Sequence, residues 1–425
     1  MDTRYEKSVN KKDYSAKFLS FVMISSLIYG FNSQFYASCL IALCEIVTIL
    51  LINQRANLKL LVVPKNHYAL SLLFFLVGML FSLYILYSNE SLNLVFYNGM
   101  IRSIFIVIHF VFGFSLFQGY FKENRIDNVL FLLPLSVAIY AVYIFLDYNF
   151  NANTVLNNNN NALPLITNRR FLGYIALLGS LVGTYRLLNY GKLMEFSWVT
   201  ILAIANLSVV IWLGGRGAII SYFIILLLFI AFDYYFRKNK LDIYAVKNWI
   251  ILILLSLTIT SPLNVFAWNG GIRLGFGSEL YESIDEFGGS RVQMWYEAFI
   301  MFTEQPWFGY GPGTYRFLSD FGLNNGFNHP HNFILQILFE FGAVGLVCLG
   351  CYLTALGGKS LKLMSKVKDE SLDLSIIMIG GLIIHGLVSG PLFHAQPVMI
   401  IVFLISYVFY RVRSGMTNEE NSQQY

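Results

Sequence analysis

The stretch Trp198–Lys240, "WVTILAIANLSVVIWLGGRGAIISYFIILLLFIAFDYYFRKNK", decides the fold class. Two apolar runs flank the turn Gly214-Gly215-Arg216-Gly217, and the second run stops at the basic cluster Arg237, Lys238 and Lys240. Each run has the length, about 17 to 25 residues, that crosses roughly 30 Å of hydrocarbon. A helical hairpin in a bilayer accounts for the pattern, with a tight turn on one side and lysine and arginine on the other.

The same pattern extends outward in both directions. The chain is 56% hydrophobic, 17% aromatic and 12% charged, about half the charge of an ordinary soluble domain. We expect an all-α integral membrane protein of about twelve transmembrane helices, near 18–32, 35–53, 67–88, 95–119, 127–148, 171–188, 197–214, 217–236, 248–268, 333–356, 372–390 and 397–410. That layout gives an N-terminal bundle over 1–268, one large loop with short helices over 269–332, and a C-terminal bundle with its tail over 333–425. The basic start (Arg4, Lys7, Lys11, Lys12, Lys17) leads into a first span with no fitting cleavage site, so that helix is expected to remain as an anchor.

With the N-terminus cytoplasmic, alternate loops collect 22 of the 29 basic residues on one side, as the positive-inside rule requires. Both termini are then expected in the cytoplasm. The residues left over are Arg102, Arg169, Arg170, Arg216, Arg273, Arg291 and Arg316, all arginine, while every lysine falls on the cytoplasmic side. Planar, bidentate contact with phosphate or carboxylate selects arginine, whereas topology alone selects lysine as readily. Arg169 and Arg170 read as flanking a span and Arg316 as a solvated loop residue. Arg216 reads as a ligand contact or a structural ion pair, held at the membrane face by glycines that let another group approach closely.

Within the loop, "GGSRVQMWYEAFIMF" predicts a helix that starts at Arg291 behind Ser290, with Val292, Trp295, Tyr296 and Phe299 on one face. A cation in the first turn opposes the helix dipole, and such local conflicts gather at functional sites. "QPWFGYGPGTY" then ends the helix in a glycine turn, and "FNHPHNFILQILFEFGAVGLV" passes from His329, His331 and Asn332 straight into an apolar run.

Other groupings carry less. Glu279, Glu282, Asp285 and Glu286 read as a solvated acidic face rather than a divalent-cation site. Cys39, Cys44, Cys348 and Cys351 fall inside spans and read as core packing. Glu45 is an intramembrane charge expected to pair with an arginine such as Arg102. His109, His385 and His394 read as packing or interfacial histidines, with His394 alone kept as a supporting residue.

Arg291 and Trp295, Pro306 with Gly309 to Gly313, His331-Asn332, and Gly342-Ala343-Val344-Gly345 form a combination that resembles the O-antigen ligase and O-antigen polymerase superfamily of bacterial inner-membrane glycosyltransferases. The resemblance is strongest over about residues 290–347 and moderate around "GGRGA". It implies a GT-C-type enzyme in the inner membrane with a periplasmic site. The donor it implies is a glycan on undecaprenyl diphosphate, and the acceptor a glycan or lipid A core. Carried over by position, His331 matches the family's essential histidine, Arg291 its loop arginine, Arg216 the arginine of the earlier turn, and Arg273 a further loop arginine. His329 and Asn332 stand as supporting residues.

Transfer from a lipid diphosphate needs the leaving group's charge stabilised and an acceptor hydroxyl activated. Arginines suit the first task, and a histidine titrating near neutral pH the second, with Asn332 placed to orient it. No metal, cofactor or nucleic-acid partner is expected; membrane lipids are. Ligase and polymerase stay open, as do a protein O-oligosaccharyltransferase and a twelve-span transporter or flippase. Transport fits less well because no internal repeat is visible and the polar residues gather in one outer loop.

Overall fold

The computed structural model of the chain describes residues 3–25, 34–56, 67–88, 93–121, 126–150, 163, 166, 168–190, 198–239, 242–261 and 291–422. Among these residues the chain is all-helical. The helices are α1 (Thr3–Ile24), α2 (Gln34–Ala56), α3 (His67–Tyr87), α4 (Asn93–Ser115), α5 (Asp127–Phe150), α6 (Arg169–Tyr190), α7 (Trp198–Trp212), α8 (Arg216–Tyr235) and α9 (Ile243–Thr260). After the loop come α10 (Arg291–Glu304), α11 (Tyr315–Leu318), α12 (Asp320–Asn325), α13 (Phe333–Lys366), α14 (Glu370–Gly386) and α15 (Ala395–Ser422). Arg273 and the acidic residues Glu279, Glu282, Asp285 and Glu286 lie outside the described residues.

Among the described residues eight helices are long and apolar enough to cross a membrane, as suits a multi-pass membrane protein. The expected spans 18–32, 67–88 and 197–214 fall on α1, α3 and α7, whose apolar stretches among the described residues are Tyr14–Ile24, Leu73–Tyr87 and Trp198–Trp212. The expected span 372–390 falls on α14, whose 17 residues include Glu370 and Asp373 in the first turn. By length and apolarity the described residues thus give eight full spans where the sequence led us to expect twelve.

Helix α6 is the centre of the bundle. Of its spanning window 78% is buried, against 28% for α8, and it packs on α5, α7, α8, α9 and α14. Small residues make this possible: Cβ atoms at Gly179 and Gly183 would strike Asn206 and Ala203 of α7 at 2.0 and 2.7 Å, the close approach that glycine permits between apolar helices. Asn168 begins the helix, its Oδ1 accepting the Arg170 backbone N–H at 2.9 Å. Arg170 therefore stands in the first turn of the most enclosed helix of the fold.

Helix α13 is broken. Gly342 has φ 66 and ψ −167 inside a 34-residue helix, and the backbone groups it frees are met by the glycine turn. Ala343 N–H donates to Pro306 O at 2.7 Å and Val344 N–H to Trp307 O at 3.2 Å, while Tyr310 and Gly311 donate to Phe339 O and Glu340 O at 2.8 and 2.9 Å. Irregular backbone at membrane depth is tolerated where protein groups satisfy it in this way. The fit is so close that a Cβ on Gly342 would lie 2.3 Å from the Trp307 carbonyl, and one on Gly309 2.4 Å from Phe339 O.

Three smaller readings change. Helix α10 starts at Arg291 as expected, but Met294 and Ala298 form its buried face, while Val292, Tyr296 and Phe299 are exposed. Apolar residues on both sides of a short helix leave its orientation to the tertiary contacts. Glu45 pairs with His109, Oε1 to Nδ1 at 2.7 Å, not with Arg102, whose guanidinium lies 4.4 Å from the Phe393 ring centroid. Of the cysteines, Cys44 is buried as expected and Cys351 is exposed.

Candidate functional site

Arginines occupy the first turns of three helices: Arg169 and Arg170 in α6, Arg216 in α8 and Arg291 in α10. None of those turns contains an acidic residue. The helix dipole disfavours a cation there and favours an anion. Arg291 lies close enough to both Arg170 and Arg216 to feel their charge. The Arg291 pKa is pulled down by burial, then by the positive charges of Arg170 and Arg216. Among the described residues neither Arg170 nor Arg291 has a carboxylate partner.

Beside them lies the histidine loop. Trp295 Nε1–H donates to Pro330 O at 2.9 Å, tying α10 to the loop and carrying Arg291 with it. His331 has φ 55, a left-handed backbone that side-chain-bearing residues adopt uncommonly. The adjacent Asn332 is extended, and its Oδ1 accepts from Ile334 N and Leu335 N. Its side chain thus caps α13 and fixes the backbone under His331; it does not touch the imidazole, as the sequence led us to expect, because two orphan amides at the helix start claim its oxygen.

His329 and His331 stand on either side of Pro330. Their rings meet edge to face, with centroids 4.2 Å apart, and the His331 N–H donates to His329 Nδ1 at 3.2 Å. Each histidine is only 5% exposed. His329 fits because residue 390 is glycine: a Cβ there would lie 2.0 Å from His329 Cε1. The same ring contacts Phe393 at 4.7 Å and His394 at 5.7 Å. Phe393 thereby contacts both His329 and the Arg102 guanidinium.

Burial, more than charge, holds these imidazoles neutral. His329 is pushed down to about 3 by desolvation, then by Arg170, Arg102 and Arg291. His331 is also pushed far below the ordinary value of about 6.5 by desolvation, then by His329, Arg170, Arg291 and His394. His394 falls well below its ordinary value too, again first through burial. A histidine titrating near neutral pH was expected at 331; burial instead pushes this ring down, beside Arg170 and Arg291.

Arg170, read from sequence as a span-flanking residue, places Nη1 3.4 Å from His331 Nε2. Its signal was present in the arginine-only set, but an Arg-Arg pair ahead of an apolar run has the same appearance as an interfacial anchor. His385, read as a packing histidine, stands against the Arg216 turn, where a Cβ on Gly217 would lie 3.1 Å from its ring. Tyr174 links the two, stacking with His394 at 5.7 Å and meeting His385 edge-on at 5.2 Å. Behind Phe393 a largely apolar cavity of about 550 Å³ runs between α3, α4, α13 and α15, with Arg102, Gln336 and Glu340 among its few polar residues.

The arrangement can bind a multiply charged anion among arginines and helix N-termini and hold a neutral imidazole at its edge. No curated protein matches the chain. Residues 201–350, which take in Arg216, Arg291, the glycine turn, both loop histidines and the break at Gly342, match the family model described as O-Antigen ligase. That match, over 150 of the 425 residues, supports a likeness to the O-antigen ligase and polymerase superfamily, a glycosyltransferase-type family.

Proposed function

We propose that the protein moves a glycan from undecaprenyl diphosphate to an acceptor hydroxyl at the periplasmic face of the bacterial inner membrane. The pathway is that of lipopolysaccharide O-antigen or a related surface polysaccharide. One observation carries this reading: Arg170 and Arg291 lie in first turns beside buried neutral histidines, with no carboxylate partner among the described residues. Such a cluster is completed by an anion. Arg216, Arg291 and Arg170 bind the diphosphate, and Arg273 is the further loop arginine that the family resemblance implies. The apolar cavity offers room for a lipid chain beside the site.

His331 is the general base. It takes the proton of the acceptor hydroxyl as that oxygen bonds to the anomeric carbon. The carbon–oxygen bond to the diphosphate breaks, and its electron pair leaves on the phosphate oxygen held by the arginines. Attack opposite the leaving group inverts the anomeric centre. The bound diphosphate also offsets the repulsion that lowers the His331 pKa, so the ring becomes more basic when the donor is present.

Deletion of the gene in its host tests the reading, with surface glycans examined on a gel. Unmodified lipopolysaccharide core with accumulated lipid-linked polymer identifies a ligase, and core bearing one repeat unit identifies a polymerase. Surface glycans identical to the parent strain's overturn the proposal.

A further inference from the structure

The two ring nitrogens of His331 have unlike surroundings. Nδ1 is enclosed and makes no hydrogen bond among the described residues. Nε2 lies 3.4 Å from Arg170 Nη1. A guanidinium only donates, so Nε2 accepts and the proton of the neutral ring is assigned to Nδ1. An incoming hydroxyl therefore has one nitrogen to give its proton to, and Arg170 covers it.

The groups facing His331 are His329 on its own loop, Arg170 from α6, Arg291 from α10 and His394 ahead of α15. None supplies a negative charge. Arg170 thus rests its donors on a neutral nitrogen while repelling Arg291. A phosphate oxygen among the arginines offers a charge-assisted hydrogen bond about twice as strong as a neutral one, and a ligand shifts a conformational equilibrium by such a difference. The backbone of Arg170 is fixed by the Asn168 cap, which leaves the side chain as the part that moves.

We propose that Arg170 is a positioning residue that masks His331 Nε2 until an anion seated among Arg170, Arg216 and Arg291 draws its guanidinium away, so that the base is exposed only once the donor diphosphate is bound. The proposal rests on the reading of His331 as the base and adds an order to it, donor first and base second. Arg170 lies outside the segment 201–350 that matches the family model.

Inorganic pyrophosphate is the probe, and the readout is the ring 15N resonances of His331 in the full-length, 15N-histidine-labelled protein, assigned by their loss in His331→Gln. In the wild type, pyrophosphate moves Nε2 toward the position of a nitrogen with a free lone pair. In Arg170→Ala the resonance stands near that position from the start and responds to pyrophosphate less than half as strongly. Arg170→Met, which keeps the apolar stem, is read in the same way should the alanine variant not fold. An Nε2 resonance indifferent to pyrophosphate in the wild type, or unmoved in both variants, overturns the proposal. Transfer assays of His331→Ala separate the two ideas: surviving transfer removes the base assignment whatever the resonances do, whereas lost transfer with unmoved resonances removes the mask alone.

Discussion

Helix α8 begins at Arg216 and is followed at its far end by Arg237, and the two ends use arginine in opposite ways. Arg237 Nη2 donates to Asp373 Oδ1 at 2.6 Å and its Nη1 to Asp373 Oδ2 at 2.8 Å, Nη1 also meets Asp233 at 3.1 Å, and Nε donates to Met364 O at 2.8 Å. Tyr185 O–H adds a bond to Asp373 at 3.0 Å, Arg186 pairs with Glu370 at 3.1 Å, and Arg411 pairs with Asp369. At the other end Arg170 and Arg291 face further cations and neutral histidines. Where a guanidinium's donors are met by carboxylates, the residue holds helices together. Where arginines face one another, the fold holds an unfinished site, and what completes it is an anion from outside.

The largest expected contrast is all or none. In a background without the four native cysteines, a cysteine at Leu323, which is 63% exposed, is labelled by an impermeant thiol reagent in cells with a permeabilised outer membrane. A cysteine at Lys366, near the carboxylate-rich end, is not. Labelling at Lys366 places both ends on one side and breaks the comparison.

Next in size is His331→Ala, expected to cut transfer by about 10² to 10⁴ while pyrophosphate binding persists, since the arginines hold the anion. His329→Ala acts more mildly, through the lost contact to the His331 N–H. A reversed ranking moves the base assignment to His329.

The two arginine ends then separate by stability. Arg237 and Asp373 side chains are 7% and 1% exposed, so Arg237→Ala strands a buried carboxylate and is expected to cost about 3–5 kcal/mol, read as a lowered melting temperature or lost folded yield. Arg291→Ala removes one of several mutually repelling cations, so thermal stability holds or rises while transfer is lost. Arg291→Lys also loses most transfer, because a point charge does not reproduce bidentate contact. Equal destabilisation by Arg237→Ala and Arg291→Ala erases the distinction.

Gly342→Ala tests the scaffold of the histidine end. Positive φ and a Cβ 2.3 Å from the Trp307 carbonyl predict a loss of about 1–3 kcal/mol or more, with transfer falling because the glycine turn shifts. Wild-type stability in this variant means that the helix break is not held by the turn.

The remaining contrast is on the acid side. His329 titrates at about 3 in the fold and near 6.5 when unfolded, so between those values the unfolded chain binds a proton that the native one does not. Stability is unaffected above about pH 6.5 and declines as pH falls toward 3. Pyrophosphate lessens the decline by supplying negative charge. His329→Asn lessens it as well, and an unchanged acid profile in that variant assigns the sensitivity elsewhere.

Much of this was readable before any coordinates. Apolar runs placed the helices, because a bilayer imposes length and hydrophobicity directly on the chain. His331, Arg216 and Arg291 stood out because each breaks a local rule, as a polar helix entry or a cation in a first turn. Arg170 did not, since its partner lies 161 residues away and no local rule distinguishes that role from anchoring. The Glu45–His109 pair and the Asn332 cap were missed for related reasons: intramembrane charge announces a partner without naming it, and a short polar side chain serves whichever donors the fold brings nearest. Eight of the twelve expected spans meet the length and apolarity in full among the described residues.

The clasp on Arg237 also has a history within each molecule. Asp373 is separated from it by 136 residues, and at a synthesis rate of about 5–20 residues per second that gap lasts roughly 7 to 27 seconds. During that interval the guanidinium at the end of α8 has only Asp233, one helical turn back, as an acidic partner from this network. The i,i+4 contact of Arg237 with Asp233 is thus available to the nascent chain before Asp373 is made. Asp233→Asn, nearly silent in the finished protein, is expected to lower the yield of correctly inserted protein more than its melting temperature.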